Sequence, residues 1–198
     1  MKKTLCLIML CAMLLCPLCA FGEETPAETL DFGDFTMTLN PETPGYLYEK
    51  ADNSVFLILY PLYLETGDES SNLNVVWGKS RATDGQMQSQ EYLDALWEGI
   101  KEQLTPTYEQ MGIKLLELDF LESGFTRVGG LNALYYMYYT TMDYSDYSDE
   151  TQGVVMSMYT KGIMVCGGFG TYTFTCTSLD PEAFTTCFDP LLATVQWN

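Results

Sequence analysis

Between 140 and 153 the sequence reads TTMDYSDYSDETQG, and Asp143, Asp146, Asp149 and Glu150 fall within eight positions. Carboxylates this close together suggest one of two things: oxygen ligands for a cation such as calcium, or a solvated turn. A helix–loop–helix calcium site takes oxygens from alternate positions, with a central glycine and a glutamate at the twelfth. Here the aspartates recur every third residue and no glycine lies between Asp143 and Glu150. Residues three apart do not converge on one side of an extended strand, so weak calcium binding needs the chain to fold back tightly. The flanking segments, 131–142 and 153–161, have the character of hairpin partners, and a hairpin tip tolerates Asp and Ser. The expectation is a plain loop. If a cation binds, Asp143, Asp146, Asp149 and Glu150 are its ligands, and no other cofactor is expected.

Histidine is absent from the sequence. That removes Ser-His-Asp and Cys-His nucleophiles, histidine base chemistry and nearly all catalytic zinc or iron designs. Lys, Tyr, Asp and Glu chemistry remains. Glu65, Asp68 and Glu69 are carboxylates of the kind a glycosidase pairs, but they sit in a turn-like segment. Lys79 with Ser80 or Ser89 offers a Ser–Lys pair without a supporting motif. The stretch CGGFG from Cys166 is glycine-rich like a phosphate cradle, but a cradle opens a helix. TYTFTCT follows instead, so the stretch reads as a glycine-bent strand. No catalytic residue is assigned, and the expectation is a protein that is not an enzyme.

Recognition is better supplied. Tyr135, Tyr136, Tyr138, Tyr139, Tyr144, Tyr147, Tyr159 and Tyr172 crowd the second half. On adjacent strands Tyr135, Tyr139 and Tyr159 would share the solvent-facing side, as a ligand-binding platform for a sugar, peptide or protein. The plainer alternative is cross-strand pairing that only stabilises the sheet.

The chain starts MKKTLCLIMLCAMLLCPLCAFG: two lysines, an apolar run, then Pro17 and small residues. This is the layout of a secretory signal peptide over 1–22, with an apolar run too short to span a bilayer. An uncleaved anchor, or lipidation at Cys16 or Cys19, is the alternative. A linker over 23–29 then leads to a single domain over 30–198, and no transmembrane segment is expected after cleavage. Beyond the leader seven Lys and Arg face 27 Asp and Glu, a net charge of −20. Nucleic acid and anionic headgroups are repelled by such a chain, so a partner is expected to be neutral or cationic. Three cysteines remain, Cys166, Cys176 and Cys187. An odd number leaves at least one thiol unpaired; Cys176–Cys187 or Cys166–Cys176 could bridge, or all three could be small buried hydrophobes.

These residues need elements to position them. Strand patterns run over 30–39, 46–50, 55–64 and 72–80. A change to steps of three and four follows: Leu93, Leu96, Trp97, Ile100 and Leu104 mark an amphipathic helix over about 89–111. Ser89 is its cap, Gly112 its close, and Pro106 is expected to kink or restart it. Strands resume over 114–121, 125–128, 131–142, 154–161 and 164–177, with turns at Gly129-Gly130 and Lys161-Gly162. On the strand from 154, Ser157, Tyr159 and Lys161 form a wet face. Asp180-Pro181-Glu182 starts a short helix over about 181–192. Strands, one long helix, strands and a short helix imply an α+β class: a single antiparallel sheet packed by the two helices.

That order resembles the PsbP-like fold, which takes its name from a photosynthetic oxygen-evolving subunit and is shared by small bacterial secreted proteins. The resemblance is carried by LDFGDFTMTLN, by VFLILYP with NLNVVWGKS, by the helix around YLDALWEGIKEQL, by GGLNALYYMYY and by FDPLLATVQW. It implies a non-enzymatic assembly, adaptor or envelope role and supplies no catalytic residues. The sequence therefore leads to a secreted, non-catalytic binding or assembly module at the cell envelope, with an unknown envelope protein or a neutral or cationic ligand as partner. The alternatives are a carboxylate-only hydrolase of envelope glycan and a calcium-dependent adhesive domain.

Overall fold

The computed structural model describes residues 28–39, 47–51, 55–59, 71–78, 84–167 and 170–198. Residues 1–22, read as a signal peptide, and Pro61, Glu65, Asp68, Glu69, Lys79 and Ser80 lie outside the described residues. In chain order the elements are β1 (Glu28–Asp31), β2 (Phe35–Leu39), β3 (Leu47–Ala51), β4 (Val55–Leu59), β5 (Asn72–Gly78), α1 (Asp84–Met87) and α2 (Gln90–Gln110). Then follow β6 (Lys114–Val128), β7 (Leu131–Asp143), β8 (Val155–Gly167), β9 (Gly170–Ser178), a π-helical turn (Phe184–Phe188), α3 (Asp189–Leu192) and β10 (Gln196–Trp197).

The class is α+β, but the strands form two antiparallel sheets where one was expected. The larger has the order β3-β4-β5-β9-β8-β7-β6, the smaller β1-β2-β10. The chain ends are the reason. Alternate residues of β2, Phe35, Met37 and Leu39, are buried, so this strand needs an apolar layer to lie against. It finds one on the larger sheet, and β10 pairs with β2 through Gln196↔Thr36 and Trp197↔Phe35. Phe35 meets Tyr172 and Phe174 of β9 edge-on, at 6.0 and 5.6 Å between ring centroids. The Tyr172 hydroxyl donates to Asp34, and the Trp197 indole donates to the Val128 carbonyl at 2.9 Å. β1 begins at Glu28, inside the segment read as a linker.

Alternation along the strands divides the larger sheet into two faces. One presents Leu73, Val75, Ala133, Ile163, Val165, Tyr172, Phe174 and Cys176 to the small sheet and to Phe184, Phe188, Leu191 and Leu192 of the C-terminal turns. The other carries Leu134, Tyr136 and Met164 beneath Met87 of α1 and Leu93 and Leu96 of α2.

The long helix forms where its spacing placed it. The Ser89 hydroxyl accepts from the Tyr92 N–H at 3.2 Å, and Gly112 ends the helix at φ +78°. Pro106 does not restart it: α2 runs through to Gln110. The carbonyl that Pro106 leaves without an N–H belongs to Glu102, an exposed residue, where water can serve it.

Three other expectations change. The segments 114–121 and 125–128 are one strand, β6, with register shifts between Leu115 and Glu117 and between Phe120 and Glu122. Lys161-Gly162 is not a turn, because β8 passes straight through it. Gly162 is there because the Tyr136 ring lies against it: a Cβ would fall 2.1 Å from that ring. The segment 164–177 is not one strand; β8 and β9 pair back on each other from Gly167↔Gly170.

Candidate functional site

The sheet face turned toward α3 arranges side chains in rows, because antiparallel partners point the same way. Across β6, β7, β8 and β9, Gly124, Tyr135, Ile163 and Phe174 form one row. The next holds Glu122, Met137, Lys161 and Cys176, and the one after it Asp119, Tyr139, Tyr159 and Ser178. Glu117, Thr141 and Ser157 follow on three strands. The last row is hydrogen-bonded through: Thr141 donates to Glu117 at 3.0 Å and lies 3.1 Å from the Ser157 hydroxyl. β6 thus sets three carboxylates, Glu117, Asp119 and Glu122, on one side.

Where α3 ends over this face a cleft of about 410 Å³ opens, with Glu122, Arg127, Tyr135, Lys161, Asp189 and Leu192 among its lining. Lys161 is the organising residue. Its Nζ donates to Asp189 at 2.7 Å and stands 5.9 Å from the centre of the Tyr135 ring. Its side chain is only 14% exposed, so the wet face expected for β8 is a half-covered one. Pairing answers the cost of holding an ammonium there. Cys176, its neighbour across β9, is fully buried, and burial pushes its thiol well above the usual range, with Asp189 adding to the effect and Lys161 opposing it. A thiol held protonated is a poor nucleophile. Of the seven Lys and Arg in residues 23–198, Arg127 and Lys161 both line this one cleft.

Tyr135, Tyr139 and Tyr159 do lie on one face, and the Tyr139 and Tyr159 rings are 5.0 Å apart. They are half-buried rather than solvent-facing, because that face also carries the main core. Tyr136 and Tyr138 point the other way, beneath α2, with rings parallel to within 4°. Burial raises both phenols to about 12, and Tyr108 of α2 likewise.

The acidic stretch is the connection between β7 and β8. Asp143 accepts from the Ser145 N–H at 2.9 Å and from its hydroxyl at 2.5 Å, which holds its carboxyl below the ordinary value. Asp149 and Glu150 lie on an exposed 3-10 turn, and Asp146 is exposed. The four are not brought together: among the described residues no three His, Cys, Asp or Glu are placed to hold a metal ion. None of Cys166, Cys176 and Cys187 is in a disulfide. Cys166 and Cys176 cannot bridge, because the register puts them on opposite faces of the sheet.

Sequence reasoning missed Lys161, Asp189, Glu122 and Arg127. One signal was available: Lys161 shares the parity of Tyr159 and Ile163, so a strand running through Gly162 must turn its amine toward the core side.

This architecture is a PsbP-like fold. The solution structure of cyanobacterial PsbP (CyanoP) from Synechocystis sp. PCC 6803 is similar over 93% of this chain and 99% of that one, with a TM-score of 0.56 at 11% identity. A crystal structure from Bacteroides thetaiotaomicron VPI-5482 is similar over 89% of this chain and 49% of that one, with a TM-score of 0.46 at 11% identity. No protein-family profile and no characterised protein matches the sequence. At this identity the likeness extends to the fold alone. No described helix is long and apolar enough to cross a membrane.

Proposed function

We propose that the chain is a secreted, non-catalytic binding or assembly module at the outer face of the cell envelope, which takes a neutral or cationic partner on the sheet face beside α3. The observation that carries this reading is the ordering of that face. Three carboxylates run along β6, tyrosines stand next to them, and the amine at the centre of the cleft, Lys161, is neutralised by Asp189, while Lys114 stands at the far end of the same side of β6 beside Asp143. Tyrosine rings beside carboxylates suit a partner with amines or an apolar surface. The chemistry for bond making is poor: there is no histidine, and the thiol beside Lys161 is buried and protonated. The test is a pull-down of residues 23–198 from envelope extract, with Tyr139→Ala and Glu122→Gln as variants. The reading expects one retained partner that both variants lose while still unfolding cooperatively, with Glu122→Gln keeping its thermal midpoint. Equal capture by all three proteins would overturn it.

A carboxylate-only hydrolase is the second reading, and one observation favours it: Glu122 and Asp189 line the same cleft. The ion pair to Lys161 counts against Asp189 as a free acid or base. Hydrolysis of a glycan or peptidoglycan panel that depends on pH and disappears in Glu122→Gln would establish this reading over the first.

A further inference from the structure

β6 is the outermost strand of the larger sheet, and among the described residues nothing pairs with its outer edge. At 15 residues it is well beyond the usual strand length of about five or six. An edge of that kind presents a row of free N–H and C=O groups, and proteins normally shorten or cover it. This one is also apolar: Leu116 is 49% exposed, Leu121 46%, Phe125 45% and Phe120 40%. Leu116 and Leu121 are the extra residues at the two register shifts, so their side chains leave the regular alternation.

Between and beyond those shifts the strand is strictly two-sided. Glu117, Asp119 and Glu122 face the side of Tyr139 and Lys161, whereas Leu115, Leu118, Phe120 and Phe125 face the side of α2, where Phe120 packs 4.9 Å from Trp97. An added strand must carry its side chains on the same two sides and opposite these residues. Over Glu117–Phe125, between Lys114 at one end of β6 and Arg127 at the other, charge complementarity then sets its chemistry: basic residues against the three carboxylates, apolar residues against the leucine and phenylalanines, in alternation.

We propose that β6 is a docking edge that accepts an extended segment of a partner protein with alternating basic and apolar residues, which joins the sheet as its eighth strand. The inference rests on the cationic partner of the reading above and names the part of it that is recognised.

The probe is a synthetic peptide of alternating lysine and valine, about ten residues long to match the strand, added to residues 23–198 and followed by fluorescence anisotropy. It is expected to bind, to weaken as salt rises, and to lose binding when every second backbone nitrogen on its pairing edge is methylated. The conservative triple variant Glu117→Gln, Asp119→Asn, Glu122→Gln is expected to bind about tenfold more weakly, by the summed loss of three cross-strand charge pairs, with its thermal midpoint retained. No binding, equal binding of a glutamate–valine peptide, or indifference to methylation would each overturn the proposal. So would sedimentation showing that a second copy of the chain already occupies the edge. If the peptide fails while envelope capture still depends on Tyr139, the edge is wrong and the face beside α3 stands.

Discussion

The two faces of the seven-stranded sheet are covered in unequal ways. On one, the small sheet and the C-terminal turns bury some twenty residues in a continuous core, with Phe35 touching the rings of Phe32, Tyr172, Phe174 and Trp197. On the other, a helix of 21 residues buries Leu93 alone of its own side chains, and Trp97, Ile100, Leu104 and Tyr108 stay half-covered. The element with the clearest periodicity therefore contributes the smaller core. The short pieces at the two chain ends, β1, β2 and β10, close the larger one. Periodicity reports that a segment has an apolar side; how much that side buries depends on what faces it.

Breaking each face in turn should expose the difference. Phe35→Ala removes a ring that is 1% exposed, and the expected loss is about 3–5 kcal/mol in denaturant unfolding. Trp97→Ala, a larger truncation on paper, should cost only about 1–2 kcal/mol, because its ring is only partly buried. Equal losses would mean that the helix face is as tightly packed as the other. Gly129→Ala tests the joint between the sheets. Gly129 has φ +56°, and a Cβ there would lie 2.6 Å from the Trp197 ring and 2.7 Å from the Val195 carbonyl. Strain and displacement of β10 together should cost about 2–3 kcal/mol. An unchanged midpoint would show that β10 is free to move.

The helix face has its own signature in alkali. Tyr108, Tyr136 and Tyr138 have phenols raised from 10.0 to about 12, chiefly by burial. A raised folded value favours the neutral phenol, so the stabilisation is complete below pH 10 and is lost as pH rises through 12. Each ring should account for roughly 2 kcal/mol of that loss. Tyrosinate absorbance should therefore rise in step with unfolding, and Tyr136→Phe should shift the transition to higher pH. Ordinary titration near pH 10 in a still-folded protein would show that α2 lies open to water. Ser89→Ala, which removes the hydroxyl that accepts from the Tyr92 N–H, should cost about 1 kcal/mol with little effect on the opposite core.

The parts that local pattern made legible are those governed by a single element: the helix with its cap and closing glycine, the Gly129-Gly130 turn, the β7 and β8 hairpin, and the shared face of Tyr135, Tyr139 and Tyr159. The rest depends on contacts distant in sequence. Nothing in QW announces that Gln196 and Trp197 pair with Thr36 and Phe35, so a second sheet was invisible. Gly162 looked like a turn because its true reason, the Tyr136 ring, lies on another strand. The site was hidden in the same way. Lys161 and Asp189 are 28 positions apart, and each looked ordinary until the fold set them 2.7 Å from one another.

The smallest effect is expected where neither face is involved, at the acidic connection between β7 and β8. Asp143 holds the Ser145 N–H and hydroxyl, and its carboxyl is depressed mainly by those two bonds, with Lys114 assisting. A depressed acid contributes stability that is present above its unfolded value and lost as pH falls through the folded one. The group is open to solvent, so Asp143→Asn should lower the thermal midpoint only slightly and only above the ordinary carboxylate range. Millimolar calcium should leave the wild-type midpoint where it is, because the ligands that would bind it are separated. A clear rise in midpoint with calcium, absent in Asp143→Asn, would mean that the connection gathers its carboxylates around the ion, since a ligand stabilises only the state it binds. The connection would then rank with the two covered faces as a third determinant of the fold.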